Sequence, residues 1–88
     1  GVRQQWMDRV EFAGVIANGR CYKGNKGRWI TFLTLGTDYG EYIDVVVQKP
    51  FSYRDGDIVH GSGKVKHSNN SDYIDSNDVK SYTFAEWR

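Results

Sequence analysis

Apolar residues in this chain recur with a period of two almost throughout, and no segment holds a helical period over three turns. A period of two places alternate side chains on opposite faces of a strand, so the chain must build its core from strands. Val10 and Phe12 alternate with Arg9 and Glu11, and Val15-Ile16-Ala17 resumes the pattern after Gly14. A glycine inside such a pattern predicts a bulge or sharp bend. Asn18-Gly19 carries a turn signal, yet strand-like residues follow it, and Gly24-Asn25-Lys26-Gly27 is the clearer loop. Trp29 to Leu35 reads as a second strand, rich in aromatic and β-branched residues. Tyr42 to Val47 is the strongest strand, with Ile43, Val45 and Val47 on one face and Tyr42, Asp44, Val46 and Gln48 on the other. Pro50 ends it. A fourth strand runs from Ile58 through Gly61 and Gly63 to Lys66, and a fifth lies within Tyr73 to Tyr82, with Ile74 and Val79 inward. Phe51 to Asp55 is the best helical candidate, at one turn.

Five strands in 88 residues allow one small domain. An open five-stranded sheet would leave two unpaired edges, so the expected fold is all-β: a closed five-stranded barrel with little or no helix between strands 3 and 4. The single domain is expected over residues 1–88, with the barrel at about 8–80 and a tail at 83–88 containing Phe84 and Trp87. No run approaches the roughly 20 apolar residues of a membrane helix. Cys21 is the single cysteine, so no internal disulfide or cysteine metal cluster can form, and a reducing, cytoplasmic setting is expected. Asn69-Asn70-Ser71 matches a glycosylation sequon, but no export leader is visible to give it meaning.

The net charge of +1 conceals a strong asymmetry. Phe12 to Thr37 carries four bases (Arg20, Lys23, Lys26, Arg28) and no acid. Ile58 to Ser71 carries Lys64, Lys66, His60 and His67, again without an acid. Nine of the eleven acids fall in Asp38 to Asp57 and in Asp72 to Arg88. In a five-stranded OB barrel, ligands bind on the strand 2–3 face between the loop joining strands 1 and 2 and the loop joining strands 4 and 5. The two acid-free stretches fall on those framing elements, where a phosphate backbone needs positive charge. Three Trp, six Tyr and four Phe exceed what a small core requires. Tyr22, Trp29, Phe32 and Tyr42 lie on or beside the central strands, where exposed rings can stack on bases. Trp29 and Phe32 have opposite parity, so both face outward only if the strand is bulged.

These segments resemble the single-stranded DNA-binding proteins of the OB fold, including the bacterial family and its phage, plasmid and primosomal relatives. Gly27-Arg28-Trp29-Ile30-Thr31-Phe32-Leu33-Thr34-Leu35-Gly36-Thr37 is similar to that family's second strand. Glu41-Tyr42-Ile43-Asp44-Val45-Val46-Val47 is similar to its third, where the aromatic stacks on a base, so the resemblance gives Tyr42 that role. Asp55-Gly56-Asp57-Ile58-Val59-His60-Gly61-Ser62-Gly63-Lys64-Val65 is similar to its fourth strand, with His60 at an outward place. The resemblance spans about residues 8 to 80 and implies binding of single-stranded DNA with little sequence preference, in replication or recombination. Tyr22, Lys23, Lys26, Arg28, Trp29, Phe32, Tyr42, His60, Lys64 and Lys66 are the expected contacts. RNA is a second candidate ligand, and a homodimer is expected because linking two short sites raises avidity.

Three departures stand out. The family usually has a helix between strands 3 and 4, whereas here Phe51 and Tyr53 are expected to cap that end. Gly61 stands where an apolar residue is common, which suggests a bulge. The acidic tail of the cellular members is missing from these residues, which turns the expectation toward a phage or mobile-element binder or toward a trimmed chain. The rival reading is a protein-interaction OB module in a replication, recombination or conjugation complex, with the exposed aromatics as its interface.

Enzyme readings find little support. Asp55, Asp57, Asp72, Asp75 and Asp78 could be imagined as a two-metal cluster, but aspartate is favoured in turns for its local hydrogen bonds. Gly61-Ser62-Gly63-Lys64 lacks the spacing and following helix of a phosphate loop. Cys21 has no positioned histidine partner. The expectation is a non-enzyme without metal or cofactor.

Overall fold

Five of the expected alternating segments form strands in the computed structural model, which describes residues 9–24, 26–67, 71–83 and 86. They are β1 (Arg9–Lys23), β2 (Trp29–Gly36), β3 (Tyr42–Val47), β4 (Ile58–His67) and β5 (Asp72–Tyr82). Around the wall the order is β1-β2-β3-β5-β4, closing back onto β1. All pairs are antiparallel except β3 with β5. The fold is thus the expected all-β, OB-like closed barrel, with no helix between β3 and β4. Asn69, Asn70, Phe84 and Trp87 lie outside the described residues.

Closure depends on β1 serving two partners. Its first half pairs with β4, and its second half pairs with β2; Val15 pairs with both. Gly14 sits at this change of partner. A Cβ there would lie 2.9 Å from both the Gly36 carbonyl oxygen and the Leu35 Cβ. The glycine therefore permits close approach of β1 to β2, and the pairing runs through it without a register shift. The bulge itself falls three residues later, where Ala17 is the extra residue between Ile16 and Asn18. An extra residue reverses the parity of everything after it. Phe12 and Ile16 face the core before the bulge. After it, Gly19 and Cys21 pair with inward Leu33 and Thr31, so Asn18, Arg20 and Tyr22 face outward.

The turn signal at Asn18-Gly19 is overridden because β1 stays paired with β2 out to Lys23. The chain reverses at residues 24–28, where Gly24 N donates to Arg28 O at 2.7 Å. Gly27 takes φ of 77° in that loop, a conformation that glycine adopts without strain.

Leu33, Leu35, Val45, Val47 and Val59 form the buried centre, with Phe12, Ile16, Ile74 and Val79 around them. Ile74 and Val79 are five residues apart yet both inward, a parity that a regular strand forbids. A second bulge resolves it: Gly63 alone stands opposite Ser76 and Asn77. Buried Ser76 serves the bulge, its hydroxyl donating to Ser62 O and accepting from Asp78 N. The irregularity expected at Gly61 therefore lies at Gly63, and Gly61 is a regularly paired inward residue.

The best helical candidate, Phe51 to Asp55, forms no helix, in line with the expected lack of helix between strands 3 and 4; residues 51–54 run as irregular chain. Phe51 and Tyr53 both pack against the core. On a helix, residues two apart point nearly opposite ways, so a turn would withdraw one of them. Tyr53 lies over Gly19, with ring atoms 2.5 to 2.7 Å from where a Cβ would be. The Thr31 hydroxyl donates to Lys49 O at 2.9 Å and ties this cap to the barrel.

Candidate nucleic-acid interface

The outer wall of β1, β2 and β3 gathers aromatic side chains that lie outside the buried core. Tyr22, 44 % exposed, stacks on Phe32, 37 % exposed, with ring centroids 5.4 Å apart and planes 12° from parallel. That geometry is an offset aromatic stack, and both rings keep part of their surface exposed. Asn18, Arg20, Tyr22, Phe32 and Thr34 line a shallow cavity of about 320 Å³. Tyr42 is 70 % exposed and lies next to Gly36, where an added Cβ would touch its Cε1 at 3.7 Å. A Cβ at Gly36 would therefore rest in ordinary van der Waals contact with that ring.

The register places these groups in one continuous row. Arg20 pairs with Phe32, Phe32 with Val46, Val46 with Asp75, Asp75 with Lys64, and Lys64 with Arg9. Adjacent strands lie about 4.8 Å apart, so Arg20 and Lys64 stand about 19 Å apart along the curved wall. Val46 faces outward with Tyr42, as its alternation requires, yet only 6 % of it is exposed. It forms an apolar floor beside Phe32. Lys66 and its partner Tyr73 extend the margin beyond Lys64. No ion pair among the described residues engages Lys64 or Lys66. At the tip of the same hairpin, His67 Nδ1 and Asp72 Oδ1 meet at 2.7 Å.

Not every expected contact joins this face. Tyr22, Phe32 and Tyr42 do, with Lys64 and Lys66 at one margin. Lys26 and Arg28 are exposed in the loop beyond β1. Trp29 pairs with Lys23, and β2 carries no bulge, so both lie on the opposite face of the β1–β2 hairpin from Tyr22 and Phe32. His60 lies on the β1–β4–β5 wall, in a separate cavity of about 270 Å³ with Glu11, Lys80 and Tyr82.

Arg20 and Tyr73 are additions. Arg20 is one of the bases preceding the loop in sequence, but the Ala17 bulge is what turns it toward the aromatic face. Two acids also lie there. Asp44 Oδ1 accepts from the Thr34 hydroxyl at 3.2 Å, and Asp75 Oδ1 accepts from Gln48 Nε2 at 3.2 Å. The face therefore has cationic margins around a polar, partly acidic middle. Such a surface can take a polyanion at its edges and flat aromatic groups at its centre.

Among the described residues, no group of three or more His, Cys, Asp or Glu side chains could hold a metal ion. No helix among them is long and apolar enough to cross a membrane. No protein-family model matches the chain, and no curated protein matches it either.

Proposed function

We propose that this face binds single-stranded DNA with little sequence preference, in replication or recombination, by stacking bases on Tyr22, Phe32 and Tyr42 and contacting phosphates from Arg20, Lys64 and Lys66. The observation that carries the reading is the exposed aromatic group on the β1–β2–β3 wall of an OB-like barrel. Duplex DNA hides its base faces in the helical stack, whereas a single strand can splay bases onto rings. RNA offers the same faces and is the alternative ligand. A second copy of the chain would lengthen a short site, which is why a homodimer belongs to the proposal.

Salt dependence tests the phosphate contacts. Each neutralised phosphate on a single strand contributes about −0.7 to the slope of log K against log salt. Replacing Arg20, Lys64 and Lys66 together by alanine should flatten that slope by about 2. An unchanged slope would remove these residues from the backbone path.

A different observation favours the rival reading of a protein-interaction module. Tyr39 is 90 % exposed and Val15 is 41 % exposed, beside a mainly apolar cavity of about 400 Å³ reaching Phe12, Ile43 and Ile74. This barrel mouth is distinct from the aromatic cavity. Tyr39→Ala should leave DNA binding unchanged; a loss there would show that the strand runs over the mouth instead.

A further inference from the structure

Asp44 stands in the middle of the aromatic face, where a backbone-binding groove gains nothing from a negative charge. Its register partner is Thr34, and Tyr42 and Val46 are two residues away on the same side of β3. Phe32 pairs with Val46, which makes Phe32 the diagonal neighbour of Asp44. Diagonal neighbours on an antiparallel pair lie about 7–8 Å apart. A base resting flat on the Phe32 ring would therefore carry its edge to the Asp44 carboxylate.

That carboxylate is also oriented. The Thr34 hydroxyl holds Oδ1, and no hydrogen bond among the described residues engages Oδ2. An ionised carboxylate only accepts hydrogen bonds. Cytosine presents an N4 amino donor where thymine presents the O4 acceptor. The carboxylate attracts the first and repels the second. Asp75, across Val46 in register, adds charge of the same sign, but its Oδ1 is already engaged by Gln48.

We propose that Asp44 is a specificity-determining residue that accepts a hydrogen bond from the exocyclic amino group of the base stacked on Phe32, so that the site takes cytosine in preference to thymine. The inference rests on the reading of this face as a single-strand site. It adds a base preference to a grip that otherwise follows stacking and charge.

Labelled oligo-dC and oligo-dT of equal length, titrated by fluorescence anisotropy at mildly alkaline pH where cytosine is neutral, test it. Wild type should bind oligo-dC about fivefold to tenfold more tightly. In Asp44→Ala the ratio should fall to about one, partly because oligo-dT binding tightens when the charge is removed. Asp44 is exposed, so the melting temperature of the variant should match wild type and separate readout from misfolding. Equal wild-type affinities, or a preference that survives in Asp44→Ala, would overturn the assignment of Asp44 while leaving the single-strand reading intact. If neither oligonucleotide binds wild type, the single-strand reading fails and the role of Asp44 falls with it.

Discussion

Gly61→Ala should lower the melting temperature by about 10 °C or more, and Gly61→Val should lower it further. Gly61 faces inward on β4 between its register partners Phe12 on β1 and Val79 on β5. A Cβ there would overlap the Asp78 carbonyl oxygen and lie 2.9 Å from Val79 Cγ1 and 3.0 Å from Phe12 Cζ. A flexible side chain could swing aside, but the Asp78 carbonyl belongs to the β5 backbone. Relief requires prising β4 from β5, and the closure of the barrel is lost with it. Overpacking a core costs about 1–3 kcal/mol, and more where backbone must move. Total stability is only about 0.05–0.15 kcal/mol per residue, so either substitution removes a large part of it, and the bulkier valine more than alanine. Gly40→Ala is the contrast: a Cβ there meets nothing within 4 Å, although φ of 77° makes the residue mildly strained. Thermal unfolding of the three variants checks the packing directly. A Gly61→Ala melt equal to wild type would mean that the strands have room to spare.

The second large effect concerns binding. Phe32→Ala combined with Tyr42→Ala should weaken single-strand affinity at least 30-fold, since each stacked base is worth about 1–3 kcal/mol and about 1.4 kcal/mol is a factor of ten. The single variants should differ in stability. Tyr42 is mostly exposed, so its removal should barely change the melt. Phe32 stacks on Tyr22 beside buried Val46, and its loss should cost about 1 kcal/mol. The two rings belong to different strands and do not appear as a stacked pair, so their binding effects should be close to additive. Wild-type affinity in the double variant would separate the rings from the ligand and leave the barrel-mouth surface as the better candidate.

Much of the barrel was legible because alternation is a local signal. Ile43, Val45 and Val47 against Tyr42 and Asp44 already described both faces of β3, and the structure keeps its bounds at Tyr42–Val47. The outward turn of Phe32 followed from Leu33 and Leu35 in the same way. What escaped was set by partners distant in sequence. The Ala17 bulge exists only relative to Leu35 and Thr34 on β2, so no feature of Ala17 itself announces that Arg20 and Tyr22 face outward. The spacing of Ile74 and Val79 did carry a trace of the second bulge, because two inward residues five apart require an extra residue between them. Asp44 was legible as outward, but its place beside Phe32 depends on the β2–β3 register. Asp75 reaches the same wall through a parallel pairing that alternation along β5 cannot reveal. Trp29 shows the reverse case. Its parity did signal the face opposite Phe32, and the regular pairing of β2 with β1 keeps it there. Because Trp29 lies away from the stacking rings, its emission is a poor reporter of the site, and the label belongs on the nucleic acid.

The most direct test is an anisotropy titration of wild-type protein against one labelled single strand and the same sequence as a duplex, each at low and high salt. The account predicts binding to the single strand, weakening steeply as salt rises, and much weaker binding to the duplex. Equal affinity for both forms would reduce the face to a nonspecific cationic surface, and no binding to either would contradict the proposed function outright.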